Sequence, residues 1–414
     1  MIVKIKPFTP FGEVVAPPSK SIAHRLLISA SLKKGQTIVK NIGNSADIIA
    51  TVNCLNRLGA NIETADGNAI VNGIERVKKG RVLDCNESGS SLRFLMPIAC
   101  ALGADCTFTG SQKLLSRPNL PLIDEIKRHG VKNDGFKFWG ELNSGEYKID
   151  GGISSQYISG LLFALPLLDG DSTLEIVGDT VSKDYISITL SVLEKSCIKF
   201  QKLGNKFVIC GNQEYNLPKE VTVEGDWSGS AYPLTLGAIG GQVCVKGLDL
   251  NSLQGDRKII EILEKAGAKI TVEGDKITVT KHKLNGFEYS FEDIPDIAPV
   301  CAGLASACEG ESALHRIERL KIKESDRVKT TLNTLKIAGI SAKEDCGSIK
   351  VLGNKINGGI FYGENDHRIV MLASILSAVA NGESEIIGAE AVAKSYPEFF
   401  ETLKKLGGDI DVSV

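Results

Sequence analysis

The sequence predicts an α/β protein built from six repeats of about 70 residues. Two landmarks recur along the chain with nearly the same period. The first is the end of a predicted helix, and a glycine follows it in five of the six copies, as expected for a left-handed helix cap. The final residues of these segments are 71, 67, 70, 72 and 68 positions apart, and the segments are 55–59, 126–130, 193–197, 263–267, 335–339 and 403–407.

The second landmark is a strand of about four residues, followed by a polar loop and an apolar helix. Because both landmarks return in phase, each repeat alternates strands with helices, which favours mixed sheets covered by helices. Loops at equivalent positions of a folded repeat tend to share one face, so polar groups from distant repeats are expected to converge. The predicted strands are 13–16, 81–84, 147–150, 221–224, 289–292 and 360–363.

Composition narrows the class of protein. A chain of 414 residues predicts two or more domains, and 43% hydrophobic with 24% charged residues is typical of a soluble enzyme. The net charge of −2 gives no support for nucleic-acid or anionic-membrane binding. Any anionic ligand must therefore be held by local clusters of cations.

Ten scattered cysteines without a C-x-x-C pair predict free thiols in a reducing compartment. The chain opens without the apolar core of a signal peptide and contains no apolar run long enough to cross a bilayer, so we expect a cytoplasmic protein. The Walker, Rossmann, H-E-x-x-H and zinc-type spacings are all missing from the sequence, so no metal and no cofactor are expected.

The densest polar stretch is 321–327, between a predicted strand at 313–317 and a predicted helix at 328–338. It contains Lys321, Lys323 and Arg327 together with Glu324 and Asp326. The free N–H groups at a helix start suit an anion, and the cations add charge. Carboxylates beside a bound anion must position cations or move protons. Taken alone, a solvated and capped helix start is the commoner arrangement.

Other predicted helix starts carry anion-binding groups. Lys20, Ser21 and Arg25 offer a point charge, a hydroxyl and a planar fork, which together suit a phosphate. Gly89 lets a backbone approach a ligand closely, and Arg117 precedes another helix. Each of these is individually also consistent with an ordinary helix start.

The remaining candidates are less distinctive. Asp296 is either a general base or a helix cap, the cap being the commoner role. A lone helix histidine such as His24 is interpreted as structural. Hydroxyl, amide, acidic and cationic groups at other predicted helix starts are Ser154, Ser155, Gln156, Ser182, Asp366, His367, Arg368 and Lys394.

In order and spacing, these motifs resemble those of the 5-enolpyruvylshikimate-3-phosphate synthase (3-phosphoshikimate 1-carboxyvinyltransferase) family over essentially the full chain. The loop around Gly89 departs from the familiar Asn-Ala-Gly-Thr pattern, which leaves sensitivity to the inhibitor glyphosate open. Arg319 replaces an Asn of some members and is left out of the predicted site. The motifs that carry the resemblance are Pro18-Ser19-Lys20-Ser21 with Arg25, Ser116-Arg117-Pro118, Ser154-Ser155-Gln156, Pro295-Asp296, Lys323-Glu324-Ser325-Asp326-Arg327, Asp366-His367-Arg368 and Ala393-Lys394-Ser395.

The resemblance implies a two-lobed enolpyruvyl transferase fold with three repeats in each lobe, closing over substrates in a cleft. The N-terminal lobe would comprise 18–225, and the C-terminal lobe 1–17 plus 226–414. A monomer without a cofactor is expected. The substrates would be phosphoenolpyruvate and shikimate 3-phosphate.

The implied reaction transfers the enolpyruvyl group of phosphoenolpyruvate to the 5-hydroxyl of shikimate 3-phosphate and releases phosphate. The resemblance assigns shikimate 3-phosphate contacts to Lys20, Ser21, Arg25, Ser154, Ser155, Gln156, Ser182, Asp296 and Lys323. It assigns phosphoenolpyruvate contacts to Lys20, Gly89, Arg117, Gln156, Arg327, Arg368 and Lys394.

The chemistry requires protonation of the phosphoenolpyruvate methylene and deprotonation of the attacking hydroxyl, through a tetrahedral adduct. We predict that Asp296 is the base and Glu324 the acid, with Lys20 as a second candidate acid.

Two alternatives remain at this stage. UDP-N-acetylglucosamine enolpyruvyl transferase shares the fold and the donor, but it typically has Lys-Asn near the first helix and a reactive Cys in a mobile loop. Here Lys20 is followed by Ser21, and the segment 112–118 has no Cys. A non-enzymatic anion-binding repeat scaffold explains the cations but leaves the neighbouring acids without a purpose.

Overall fold

The computed structural model describes residues 1–413. Its helices are α1 Lys20–Leu32, α2 Ala46–Leu58, α3 Gly89–Ala101, α4 Gln112–Ser116, α5 Leu120–Arg128, α6 Ser155–Ala164, α7 Lys183–Lys195, α8 Trp227–Gly240, α9 Ile259–Ala266, α10 Ala298–Ser306, α11 Arg327–Ile337, α12 His367–Ala378 and α13 Phe399–Lys405. Its 3-10 turns are Leu165–Leu167, Gly255–Lys258, Pro295–Ile297, Glu318–Ile322 and Ala389–Lys394.

The strands are β1 Ile2–Lys6, β2 Phe11–Val15, β3 Gln36–Lys40, β4 Asn61–Ala65, β5 Asn68–Asn72, β6 Arg81–Asp84, β7 Cys106–Thr109, β8 Lys132–Asp134, β9 Lys137–Trp139, β10 Glu146–Asp150, β11 Ser172–Val177, β12 Phe200–Leu203, β13 Lys206–Ile209, β14 Glu220–Thr222, β15 Gln242–Lys246, β16 Lys269–Glu273, β17 Lys276–Thr280, β18 Glu288–Ser290, β19 Glu311–His315, β20 Ser341–Asp345, β21 Ser348–Leu352, β22 Ile360–Tyr362, β23 Ser384–Ile387 and β24 Asp409–Ser413. The described part of the chain contains no helix that is both long and apolar enough to cross a bilayer.

The chain divides into two compact units. The inserted unit is Pro18–Val223, and the flanking unit combines Met1–Pro17 with Glu224–Val414. The second crossing falls between 223 and 224, two residues before the expected boundary after 225.

Six four-stranded sheets share one topology. In each sheet one edge strand is parallel to its neighbour. The other two neighbouring pairs are antiparallel. The inserted unit has the sheets β14-β3-β5-β4, β6-β7-β9-β8 and β10-β11-β13-β12. The flanking unit has β16-β17-β15-β2, β18-β19-β21-β20 and β22-β23-β1-β24.

Each unit has its own apolar core around three inner helices. In the inserted unit these are α1, α3 and α6, which are buried along nearly their whole length. In the flanking unit they are α8, α10 and α12. Most residues of these helices are apolar or small, as a largely enclosed helix requires. Outer helices such as α5 and α9 instead bury one face.

The six predicted helix ends all carry a residue with positive φ. Gly59, Gly130, Gly267, Gly339 and Gly407 have φ between 76° and 128°. Cys197, the one position without glycine, also adopts the left-handed conformation with φ of 60°. The cap prediction is therefore confirmed, because the backbone geometry repeats even where the residue type does not.

Close helix packing gives a test of the inner core. A Cβ added to Gly160 on α6 would lie 2.4 Å from the backbone oxygen of Arg93 on α3. A Cβ added to Gly303 on α10 would instead meet the mobile ends of Leu372 and Ile375 at 2.9 and 3.2 Å. Backbone cannot move aside as a side-chain tip can.

We therefore expect Gly160→Ala to destabilise the protein by about 1–3 kcal/mol. Gly303→Ala should cost far less, because alanine also gains about 1 kcal/mol of helix propensity over glycine. Urea-denaturation midpoints of both variants check this ordering. Equal midpoints for the two variants would contradict the packing described here.

Candidate active site

The stretch 321–327 forms the end of one 3-10 turn and the start of α11. The preceding strand is Glu311–His315 and the helix begins at Arg327, each slightly earlier than the sequence predicts. The Asp326 side chain caps α11 by accepting a hydrogen bond from the Lys329 N–H at 3.2 Å. Asp326 is therefore the N-cap of α11.

Arg327 is the centre of the polar cluster in the flanking unit. Its side chain is 1% exposed, yet it contacts three carboxylates. Nε donates to Asp366 at 2.8 Å, Nη1 to Asp296 at 2.9 Å, and Nη2 to Glu324 at 2.6 Å. Burial alone would lower the pKa of Arg327, but these carboxylates raise that pKa well above its usual value. The guanidinium is permanently charged and held on three sides.

Asp366 joins two helix starts. It is 0% exposed and caps α12 by accepting from the Arg368 N–H at 2.9 Å. It also accepts from the Ser325 hydroxyl at 2.9 Å and from both Nε and Nη2 of Arg327. The sequence analysis gave Asp366 no role of its own. Its position just before a helix was a signal for capping, but its partners lie about 40 residues away.

Lys323 and Asp296 form the accessible part of this cluster. Lys323 Nζ lies 3.0 Å from Asp296 Oδ1, and the two side chains are 18% and 21% exposed. Burial would raise the pKa of Asp296, but the charges of Lys323, Arg327 and Arg368 hold that pKa well below its usual range. Burial lowers the pKa of Lys323. Asp296 is therefore ionised, as a proton acceptor must be.

Arg368 follows Asp366 and points back to α8. It is 5% exposed, its Nη1 donates to the Ser228 carbonyl at 3.0 Å, and its buried Nε has no hydrogen-bond partner among residues 1–413. The Ser228 hydroxyl donates to the buried carboxyl of Asp256. Burial and the Asp296 charge raise the pKa of Asp256 to about 7. The sequence analysis missed Ser228 and Asp256 as site residues.

Lys394 lies beside the same helix start. Its Nζ donates to the carbonyl of Asn365 at 2.5 Å, immediately before the Asp366 cap. The flanking unit thus brings together most of the predicted residues in its half of the chain. They are Asp296, Lys323, Glu324, Arg327, Arg368 and Lys394.

A second cluster lies at the start of α3 in the inserted unit. Gln156 accepts from Arg93 Nη1 at 2.9 Å and donates to the Ser90 hydroxyl at 3.0 Å. A Cβ on Gly89 would lie 3.0 Å from Arg117 Nη1 and 3.4 Å from Gln156 Oε1. Any larger residue at position 89 would press against these two side chains. Arg117 Nε is buried without a hydrogen-bond partner in the described structure.

Arg93 belongs to this cluster, although the sequence analysis did not select it. It is 4% exposed and also donates to Asn119 and to the Pro118 carbonyl. It lies one helical turn after Gly89, so the i,i+4 spacing was an available signal.

The start of α1 provides a third group of cations in the same unit. Lys20 Nζ pairs with Asp47 at 2.7 Å. Arg25 is 2% exposed and donates to the Thr189 hydroxyl at 2.7 Å, the Ser21 carbonyl at 2.7 Å and the Tyr185 carbonyl at 3.0 Å. These partners are neutral, and burial lowers the pKa of Arg25. A bound anion would offset that buried charge.

Three predicted serines lie at helix N-termini of the inserted unit. Ser154 caps α6 by accepting from the Gln156 N–H at 3.3 Å, and Ser155 is its first residue. Ser182 precedes α7 in the left-handed conformation, with φ of 53°. Such strain in a serine is typical of functional sites. Within residues 1–413, no group of three or more His, Cys, Asp or Glu side chains could hold a metal ion.

The fold is that of enolpyruvyl transferases of known structure. The chain superposes on EPSP synthase from Acinetobacter baumannii with a TM-score of 0.85 and 24% identity, covering all of both chains. It superposes on the enolpyruvyl transferase NikO from Streptomyces tendae with a TM-score of 0.81 and 16% identity, over 99% of this chain and 98% of that one. The predicted α/β enolpyruvyl transferase fold is confirmed.

Sequence comparison defines the family. Residues 7–403 match the model of EPSP synthase (3-phosphoshikimate 1-carboxyvinyltransferase). The chain is 41% identical to the 3-phosphoshikimate 1-carboxyvinyltransferase of Clostridium kluyveri, over 99% of this chain and 98% of the relative. This chain belongs to the EPSP synthase family, as its motifs predict.

The raised pKa of Asp256 predicts a pH-dependent stability. The folded state holds this proton up to a pH of about 7, whereas the unfolded chain releases it near the ordinary value of 3.8. The contribution of Asp256 to the free energy of unfolding is therefore greatest below about pH 4, and it decreases as the pH rises to about 7. Asn cannot ionise but still accepts the Ser228 hydrogen bond.

We expect Asp256→Asn to melt a few degrees above the wild type at pH 8, with the gain shrinking towards pH 5. Thermal unfolding across this range checks it. Asp345→Asn is the control, because the hydrogen bond from Lys350 lowers the pKa of Asp345, so this carboxyl stays ionised in the folded and unfolded states and the effect of its loss should not change between pH 5 and pH 8. A pH-independent difference for Asp256→Asn would contradict the assignment.

Proposed function

We propose that this chain is a 3-phosphoshikimate 1-carboxyvinyltransferase. It transfers the carboxyvinyl group of phosphoenolpyruvate to the 5-hydroxyl of shikimate 3-phosphate and releases phosphate, in the biosynthesis of aromatic amino acids. The observation that carries the proposal beyond family membership is the accessible Asp296–Lys323 pair beside Glu324. It provides carboxylates among cations, which proton transfer on an anionic substrate requires.

The reaction needs one proton added and one removed. Protonation of the phosphoenolpyruvate methylene creates an oxocarbenium-like carbon, which the 5-oxygen attacks while its own proton leaves. The tetrahedral adduct then loses phosphate and a methyl proton. We assign Asp296 as the base, because its neighbours keep it ionised. We assign Glu324 as the acid, with Lys20 as the second candidate.

The cations serve binding and charge compensation. Buried Nε groups of Arg117 and Arg368 remain available as donors, and a phosphate or carboxylate oxygen would satisfy them. Proposed contacts to phosphoenolpyruvate are Lys20, Gly89, Arg117, Gln156, Arg327, Arg368 and Lys394. Proposed contacts to shikimate 3-phosphate are Lys20, Ser21, Arg25, Ser154, Ser155, Gln156, Ser182, Asp296 and Lys323.

Arg327 and Arg25 contribute mainly fixed charge under this proposal. Three carboxylates occupy most of the N–H groups of Arg327, and hydroxyl and carbonyl oxygens occupy most of those of Arg25. Each therefore has little capacity left for direct hydrogen bonds, so its proposed contact with substrate is mainly an electrostatic attraction. We further propose that the protein acts as a monomer in the cytoplasm, where its ten free cysteines would stay reduced.

The test is phosphate release from phosphoenolpyruvate with shikimate 3-phosphate as acceptor. We expect turnover with this acceptor and none with UDP-N-acetylglucosamine. Asp296→Asn and Glu324→Gln should each lower kcat by about 100-fold or more, a range typical of lost acid–base catalysis.

Glu344→Gln is the matched control, because Glu344 is an acid on the surface of the same unit, paired with Lys321 at 2.7 Å. It should leave turnover unchanged. Near-normal turnover in both Asp296→Asn and Glu324→Gln would refute the assigned roles. Turnover with the UDP-sugar alone would refute the proposed acceptor.

A further inference from the structure

Four buried side chains form a continuous hydrogen-bonded chain across three helices of the inserted unit. His24 Nδ1 on α1 lies 2.7 Å from Thr51 Oγ1 on α2, which lies 2.6 Å from Ser91 Oγ on α3. Ser91 Oγ lies 2.7 Å from Ser88 Oγ, at the N-cap of α3. All four residues are 0% exposed. We call these residues the buried hydroxyl chain.

The hydrogen bond between Ser91 and Ser88 determines which group donates at each position of the buried hydroxyl chain. Ser88 Oγ accepts from both the backbone N–H and the hydroxyl of Ser91. Because the Ser91 proton is used there, Ser91 Oγ must accept from Thr51, and Thr51 Oγ1 must accept from His24. His24 therefore carries its proton on Nδ1. Its Nε2 is a bare acceptor, and it is buried without a hydrogen-bond partner in the described structure.

His24 also stays uncharged. Burial lowers the pKa of its imidazole well below the usual value, and the nearby charges of Lys20 and Arg25 lower it further. In a neutral ring only one nitrogen carries a proton. With that proton on Nδ1, the hydrogen bonds of the buried hydroxyl chain run from His24 to Thr51, Ser91 and Ser88. The sequence analysis treated His24 as an ordinary structural histidine, and nothing in its local sequence shows these partners.

The chain also runs beside a predicted substrate-binding lysine. Lys20 and His24 are one turn apart on α1, and their partners Asp47 and Thr51 are one turn apart on α2. The ion pair and the hydrogen bond thus connect α1 and α2 at two successive helical turns. Through Ser91, the hydrogen bond at the second of these turns continues to α3.

We propose that the buried hydroxyl chain is a positioning device for the phosphoenolpyruvate site. It fixes the first turn of α3, and so the distance of the Gly89 backbone from Arg117. That approach is tighter than ordinary van der Waals contact, since a Cβ on Gly89 would lie 3.0 Å from Arg117 Nη1. A small shift of α3 would therefore change the space available to an anion. The identity of that anion rests on the proposed function.

Thr51→Val tests the proposal by removing the central hydroxyl while keeping the side-chain shape. We expect the KM for phosphoenolpyruvate to rise by about fivefold, equivalent to about 1 kcal/mol for one lost hydrogen bond. The KM for shikimate 3-phosphate should rise less, because its proposed contacts Ser154 and Ser155 lie at the start of α6, which is not one of the three helices that the hydroxyl chain joins. Thr51→Ser should restore the wild-type value.

Ser29→Ala is the matched control. Ser29 lies on α1, the helix that carries His24, and its variant loses an equally buried hydrogen bond, to Ser196 at 2.5 Å, away from the α3 start. It should lower the melting temperature without raising the KM for phosphoenolpyruvate. If the KM for phosphoenolpyruvate rises in Thr51→Val but not in Ser29→Ala, the effect is due to positioning of the site and not to a general loss of stability. An unchanged KM in Thr51→Val, in an active protein, would overturn the proposal.

Nitrogen-15 NMR of the histidines tests the direction of the chain without any substrate. We expect His24 to show a protonated Nδ1 and an unprotonated Nε2 at pH 7. A protonated Nε2, or a charged ring, would overturn the inferred direction. If the wild type released no phosphate at all, the proposed function would be refuted. The NMR spectrum would still decide whether the buried hydroxyl chain has the hydrogen bonds described here.

Discussion

The site in the flanking unit depends on one buried guanidinium. Taking Arg327 out of water is costly unless its charge is compensated with good geometry. Asp366, Asp296 and Glu324 provide that compensation, and in doing so they are fixed relative to one another. Asp366 also ties the start of α11 to the start of α12. The same ion pairs therefore stabilise the packing and hold Asp296 in the ionised form that base catalysis needs.

The inserted unit solves a similar problem with neutral groups. Arg25 is surrounded by hydroxyl and carbonyl oxygens, and the start of α3 is held by hydroxyls rather than by a carboxylate. Such partners orient a cation or a helix without cancelling positive charge. Lys20, paired with Asp47, is the exception among the cations at α1. Positive charge is thereby kept at Arg25 in this unit, whereas Lys323 and Arg327 of the flanking unit are paired with carboxylates.

Much of this was predictable from the sequence, for identifiable reasons. The repeat period was visible because helix ends need a left-handed residue, and even Cys197 meets that need. Lys323, Glu324 and Arg327 were visible because they are adjacent in sequence. Asp256 and Arg93 were not selected, and Asp366 was given no role, because what these residues do depends on partners in other repeats. The role of His24 and the raised pKa of Asp256 follow from burial, which a local pattern does not report.

The central claim is that this chain adds and then removes a proton at the phosphoenolpyruvate methylene. Turnover in deuterium oxide tests it most directly, because the methyl group of the adduct mixes solvent deuterium with the original hydrogens before one is lost. We predict deuterium in the vinyl group of the product, appearing more slowly with Glu324→Gln in step with its reduced turnover. A product formed in deuterium oxide whose vinyl group contains only protium would contradict the account.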